Sequence, residues 1–174
     1  MLAYVRPNGR NREQRKKGVM TSTRVADRPR LPRGGRFILG VLIFGWAATI
    51  AYWVVWFAID REILASAHTD SYYAYENAFP AADAWMAFAG VAATVAMVRR
   101  HGSAFLWSIV AGATSIYLGL MDVLFDLENG IYHLSDTGGV IVEIAINVLT
   151  LSLGIVVLLW TWRERRALSA FAGW

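Results

Sequence analysis

Residues 104–125 read AFLWSIVAGATSIYLGLMDVLF, an apolar run with a single charged residue, Asp122, near its end. At a rise of about 1.5 Å per residue, a helix of this length crosses a hydrocarbon core of about 30 Å. Small residues recur along the run at helical spacing. The run therefore predicts a transmembrane helix, and the direction in which its acid points bears on what the protein does.

Three other stretches share this apolar character, and the chain as a whole is 56% hydrophobic with a mean hydropathy of +0.40. We predict an all-α integral membrane protein, an antiparallel four-helix bundle spanning residues 37–166. The expected helices cover about 37–59, 81–98, 104–125 and 138–162. A basic tail, 1–36, precedes the bundle, and a C-terminal tail, 167–174, follows it.

The orientation of the bundle is predicted from its cations. Of the 17 Lys and Arg residues, eleven precede Phe37, and five more lie either between the second and third helices or after the fourth. Only Arg61 falls on the opposite side. By the positive-inside rule, both termini are predicted to be cytoplasmic. The membrane that the protein spans is predicted to be the cell membrane.

The tail is rich in Arg, Pro and Gly and has no apolar periodicity, which predicts disorder. Its charge is expected to contact anionic membrane lipid, and no nucleic acid is expected as a partner. The residues before Met20 resemble a ribosome-binding site read as codons. A second hypothesis is therefore that translation starts at Met20.

Each predicted helix carries one stripe of small or polar residues that becomes acidic toward its outer end. Because small residues allow transmembrane helices to approach closely, these stripes are expected to face one another. The stripe of the first helix contains Gly45, Thr49, Tyr52, Trp56 and Asp60, and that of the second contains Asp83, Ala87, Gly90 and Thr94. The stripe of the third helix contains Ser108, Gly112, Ser115, Gly119, Asp122 and Asp126, and that of the fourth contains Asp136, Gly139, Glu143, Asn147, Thr150 and Gly154.

Three of the acids are expected at a similar depth. Counted from the inner helix ends, Asp83 lies about 22 Å up, Asp122 about 27 Å and Glu143 about 29 Å. Intramembrane ionisable residues are costly and mark functional sites by default. For Asp83, which follows Pro80, a role at the helix N-terminus is the simpler explanation. Asp122 has no such explanation, because it lies near the end of a helix where negative charge is disfavoured.

We predict that Asp122 and Glu143 form the core of a catalytic group, joined by Asp83 and Glu76. Two carboxylates desolvated side by side cannot both stay ionised at low cost, so one is expected to hold a proton. Asp122 is predicted as the proton donor and Glu143 as its charged partner. Glu76 belongs to YYAYENAFP, residues 72–80, a segment expected to fold over the pocket as a lid.

A second group of residues is predicted to contact the substrate. Asn147 would orient substrate or a carboxylate, and aromatic rings near the outer end could steady a developing positive charge. An ordinary aromatic belt at the membrane interface is the simpler explanation for most of these rings. The predicted substrate contacts are Asn147, Asp126, Tyr52, Trp56, Trp85 and Ser115.

Several classes of chemistry are excluded by composition. The chain has no cysteine, which excludes thiol–disulfide exchange. Its three histidines lie outside the predicted spans, so bis-His haem is not expected. The sequence has no P-loop, GxSxG or HExxH motif. No cofactor and no metal ion is predicted.

Two functions remain, with conduction of protons or cations as a weaker third. The first is acid/base isomerisation or cyclisation of a lipophilic small molecule. The alternative is a non-catalytic membrane protein that binds a cation or ligand, or serves as an accessory to a partner membrane subunit.

Overall fold

The computed structural model describes residues 30–134 and 137–172 of the 174-residue chain. Within them the regular structure is helical, with no strand. The predictions for residues 1–29, for a start at Met20 and for Asp136 lie outside the described residues. The α-helices are α1 (Gly35–Val54), α2 (Asp70–Glu76), α3 (Pro80–Arg99), α4 (Ala104–Asn129), α5 (Thr137–Arg163) and α6 (Arg165–Ser169).

Short turns of other helix types connect these elements. A π-helical turn, Val55–Ile59, continues α1, and single 3₁₀ turns cover Arg61–Ile63, Ile131–His133 and Ala170–Ala172. Gly130 ends α4 with φ +67°, a left-handed conformation that glycine adopts without steric cost.

Four helical segments are long and apolar enough to cross a membrane, and they confirm the predicted all-α class and the four membrane-length helices. They are Gly35–Ile59, Asp70–Arg99, Ala104–Asn129 and Gly138–Arg163. The second segment combines α2 and α3. Apolar side chains such as Phe44, Val148 and Leu159 are exposed on their outer surfaces, which suits contact with lipid.

The four long helices pack around a common centre. Helix α4 lies between α3 and α5, and α1 contacts both α3 and α5, so the ring of contacts closes. A close approach joins α4 and α5 at Gly112 and Gly154, where a methyl group on either residue would lie 3.0 Å from the other's carbonyl oxygen. Small residues thus allow close backbone contact, as in other membrane helix pairs.

The two ends of the bundle differ in their side chains. We call the end with Arg36, Arg99 and Arg163 the basic end, and the opposite end, which carries residues 60–79 and 130–134, the acidic end. An apolar core lies toward the basic end, and it includes Ile38 and Met97.

The C-terminal segment belongs to this core. Within the predicted C-terminal tail, 167–174, the end of α6 and the turn after it pack on the bundle, with Leu168 fully buried and Phe171 nearly so. The apolar side chains Leu168 and Phe171 make this contact favourable.

The connection between α1 and α3, residues 60–79, forms a structured cap over the acidic end. Thr69 begins α2 by accepting a hydrogen bond from the backbone N–H of Tyr72 at 3.2 Å. Tyr75 stacks on Phe125 of α4, and its hydroxyl donates to the carbonyl oxygen of Met121 at 2.8 Å. We call residues 60–79 the cap segment.

Candidate functional site

A cavity of about 220 Å³ lies between α1, α3, α4 and α5. Four carboxylates line it, each from a different part of the chain: Glu76 from α2, Asp83 from α3, Asp122 from α4 and Glu143 from α5. The structure therefore brings together the four acids that the sequence predicts as catalytic. Among the described residues, the lining contains no Lys, Arg or His to neutralise them.

Glu143 is buried and held by the cap segment. Its Oε2 atom accepts a short hydrogen bond from the Ser66 hydroxyl and a second from the Tyr72 hydroxyl at 3.3 Å. The backbone N–H of Ser66 in turn donates to the Tyr72 hydroxyl oxygen at 3.3 Å. Docking of the cap thus fixes the position of this carboxylate.

Two side chains of α1 hold two of the other three carboxylates. The Tyr52 hydroxyl donates to Glu76 at 3.2 Å, and the indole N–H of Trp53 donates to Asp83 at 2.9 Å. No side chain caps the start of α3, although Asp83 lies in its first turn. Asp83 can still favour the helix N-terminus through its charge, but its hydrogen bond crosses to the neighbouring helix.

Asp122 differs from the other three acids. It lines the cavity, yet within residues 30–134 and 137–172 no group donates a hydrogen bond to its carboxylate. It is thus the acid most available to a molecule in the cavity.

The middle of the cavity offers little to a polar ligand. The Ser115 hydroxyl donates to the carbonyl oxygen of Thr150 at 2.9 Å, and the Thr49 hydroxyl to that of Gly45 at 3.0 Å. Such bonds to helix carbonyls satisfy hydroxyl groups inside apolar helices. One group is left over, because the Trp46 indole N–H is buried and has no hydrogen-bond partner in the described chain.

Two of the predicted substrate contacts lie in a separate buried cluster. Asp126 and Asn147 are each only 2% exposed, and neither lines the cavity. The Asn147 amide donates to Asp126 at 2.7 Å and to the Tyr132 hydroxyl oxygen at 3.1 Å. Asn147, which the sequence predicts to orient substrate or a carboxylate, thus binds the carboxylate of Asp126 in the last turns of α4, and its contact with a substrate stays a prediction.

Tyr132 completes this cluster from the turn after α4. Burial, and then a hydrogen bond to the carboxylate of Asp126, raise the pKa of Tyr132 to about 12. Its hydroxyl therefore stays protonated and remains a donor to Asp126 at any physiological pH.

The two tryptophans predicted as substrate contacts, Trp56 and Trp85, do not line the cavity. Trp85 is 50% exposed and packs on Phe88 and Trp107. It follows Asp83 by two residues, over which a helix turns by about 200°, so its side chain points away from the cavity that Asp83 lines. Trp56 is buried under the cap segment, where its indole N–H donates to Asn77 at 3.3 Å. Of the predicted substrate contacts, Tyr52 and Ser115 line the cavity.

Sequence reasoning missed Ser66 and Tyr132. Ser66 lies between two small buried residues, Ala65 and Ala67, in a connection with no helical period, and Tyr132 lies in a short turn. A long connection is itself a weak functional signal, but it does not indicate which side chain turns inward.

Comparison with known proteins yields no relative, since no family model, no curated protein and no solved structure matches the chain. Within the described residues, no group of three or more His, Asp or Glu side chains is placed to hold a metal ion. The cavity is therefore the feature of the molecule that bears on its function.

Proposed function

We propose that the chain is an antiparallel four-helix membrane bundle of the cell membrane with both termini in the cytoplasm and its acidic end facing outward. The arginines of the basic end support this orientation, because cytoplasmic loops carry an excess of Lys and Arg. The cavity then has its carboxylates near the outer surface of the membrane.

We further propose that the protein catalyses acid/base isomerisation or cyclisation of a lipophilic small molecule in this cavity. The observation that carries the proposal is the unequal hydrogen bonding of two carboxylates on one cavity. Glu143 accepts two hydrogen bonds, whereas Asp122 accepts none from the described residues. Donors stabilise a charged carboxylate, so Glu143 bears the charge and Asp122 carries the proton.

The reaction balances without a cofactor. The Asp122 carboxyl group donates its proton to one carbon of a double bond, whose electron pair forms the new C–H bond and leaves a cation on the adjacent carbon. Glu143 then removes a proton from a neighbouring carbon, and that C–H electron pair becomes the new double bond. The proton returns from Glu143 to Asp122 before the next cycle, so the product has the same mass as the substrate.

The remaining acids and aromatic rings suit the transient cation. The carboxyl oxygens of Asp83 and Glu76 carry partial negative charge in either protonation state, and the described lining of the cavity has no basic residue. The rings of Tyr52 and Trp53 line the same cavity and hydrogen-bond these two acids, and aromatic rings attract cations through their π-faces. Preorganised charge of this kind is a large contributor to catalysis.

Binding without catalysis is the second candidate. The lack of a basic residue among the described lining also suits a stable cation with a lipophilic body, bound by the protein alone or with a partner membrane subunit. Both functions use the same four carboxylates, and they differ in whether a covalent change occurs.

The test exploits conservation of mass. The purified protein in lipid nanodiscs is incubated with a lipid extract of its native membrane, and chromatography with mass spectrometry detects conversion between species of equal mass. We expect the wild type to convert one such pair. Asp122→Asn abolishes the conversion, and Glu143→Gln lowers it by at least about a hundredfold, as expected for loss of a general base.

Glu128→Gln serves as the control, because Glu128 is an exposed acid on the same helix as Asp122. It should convert at the wild-type rate, and all variants should show similar thermal unfolding. Full conversion by Asp122→Asn would contradict the proposal. A small molecule that co-purifies but is never converted would favour the binding function instead.

A further inference from the structure

The cavity is long. At its acidic end it is lined by Asp122 and Glu143, and toward the basic end it reaches Val41 and Val157. Along α5, the rise from Glu143 to Val157 is about 21 Å, and the corresponding stretch of α1 is about 18 Å. The cavity therefore extends through much of the thickness of a hydrocarbon core.

The cavity is also narrow. Its volume of about 220 Å³ lies below the range of about 300–1,000 Å³ found for pockets that hold drug-sized molecules. An engineered cavity of about 150 Å³ holds one benzene ring. Distributed over such a length, 220 Å³ corresponds to a mean cross-section of about 11 Å², so a single hydrocarbon chain requires far less widening of the cavity than a fused ring system.

The lining carries charged side chains at one end only. Toward the basic end it consists mainly of apolar side chains, among them Leu42, Ala111 and Leu153. The exception is Trp46, whose buried indole N–H has no hydrogen-bond partner within the described residues. A double bond in the ligand provides a π-face that can accept a weak N–H···π contact from this group.

We propose that the substrate is a linear, unsaturated, single-chain lipid, with its reacting double bond among the carboxylates and its chain extending past Trp46 toward Val41 and Val157. This inference rests on the proposed function for its acidic end. Its shape argument depends only on the length, width and polarity of the cavity.

Photoaffinity labelling tests the proposal. The probe is a twelve-carbon alkylamine with a diazirine at the end of its chain, whose ammonium group stands in for the transient cation. The comparison probe is a sterol amine that carries a diazirine on its ring system. We expect the linear probe in nanodiscs to label peptides that contain Val41 and Val157, and the sterol amine to leave them unlabelled.

Variants establish where the probe lies. Ala111→Leu fills the deep part of the cavity, and overpacking of this kind should lower labelling by about tenfold or more. Ala113→Leu adds the same side chain to an exposed position on the same helix and should leave labelling unchanged. Val41→Phe obstructs the cavity from α1 and provides a second obstruction should Ala111→Leu fail to fold.

Labelling confined to the acidic end, equal labelling of the deep peptides by the sterol amine, or full labelling of a folded obstructed variant would each overturn the linear-chain assignment. None of these results bears on the conversion between species of equal mass, which tests the proposed function separately. Conversely, a protein that labels as expected but converts nothing would retain the linear ligand and lose the catalytic role.

Discussion

At the residue scale, the four cavity acids differ in what holds them. Glu143, Glu76 and Asp83 each accept a hydrogen bond from a side chain on another element, whereas Asp122 accepts none from the described residues. Within an apolar bundle each donor fixes the position of a carboxylate and offsets part of its desolvation. In the proposed function, the acid without a donor is the one that acts on the ligand.

Asn147 illustrates the opposite situation, in which a polar side chain serves the structure. Asn147→Ala removes a donor from the buried carboxylate of Asp126, so we expect a loss of about 1–3 kcal/mol in the free energy of unfolding. Thermal unfolding in detergent measures it. Asn129→Ala is the control, because Asn129 is exposed and bonds only to a carbonyl of its own helix. Equal stability of the two variants would contradict a structural role for Asn147.

At the element scale, the position of the cavity depends on how closely α4 and α5 approach. At Gly112 and Gly154 the backbones of the two helices lie in close contact, on the side of the acids that faces the basic end. The cap segment closes the other end by docking α2 on α4 through Tyr75 and Phe125. The shape of the site thus follows from two helix contacts that do not themselves involve a carboxylate.

Gly154→Ala tests the first of these contacts. The new methyl group would lie 2.9 Å from Cγ1 of Ile116 and 3.0 Å from the carbonyl oxygen of Gly112, so the helices must separate. We expect a loss of about 1–3 kcal/mol in stability, as for other overpacked sites.

Gly40→Ala is the matched control, because a methyl group at Gly40 meets nothing within 4 Å. It should be neutral or slightly stabilising, since alanine has the higher helix propensity. Thermal unfolding in detergent compares the two variants. A Gly154→Ala protein as stable as Gly40→Ala would show that the close approach is not required.

At the scale of the whole molecule, charge is segregated between the two ends. Arginines cluster at one end and the cavity acids lie toward the other. In membrane proteins the distribution of Lys and Arg sets the orientation and acids contribute little, so the proposed orientation follows from the arginines.

Single-cysteine labelling tests that orientation, and the background is clean because the chain has no cysteine. Glu62→Cys lies in the exposed part of the cap segment, and His101→Cys in the exposed turn between α3 and α4. In intact cells an impermeant maleimide should label position 62 and leave position 101 unlabelled until the cells are lysed. The reverse pattern would place the acidic end in the cytoplasm.

The sequence by itself determined the number of long helices, their approximate bounds and the faces that turn inward. Hydropathy and the helical repeat are local properties, so the stripe containing Ser108, Gly112 and Gly119 is visible before any packing is known, and all three of these residues are buried. The sequence also shows that the acids lie toward one end of the bundle. Chain direction alternates from one membrane span to the next, so the position of an acid along its span indicates the end at which it lies.

Only the tertiary structure decided which inward-facing side chains share a cavity. Asp122 and Asp126 are one helical turn apart on the same stripe, yet Asp122 lines the cavity and Asp126 binds Asn147. A stripe is wide enough to face two neighbouring helices, and the rotation of each helix selects between them. The contact between Ser66 and Glu143 joins residues 77 apart in sequence, so it exists only once the cap segment has docked.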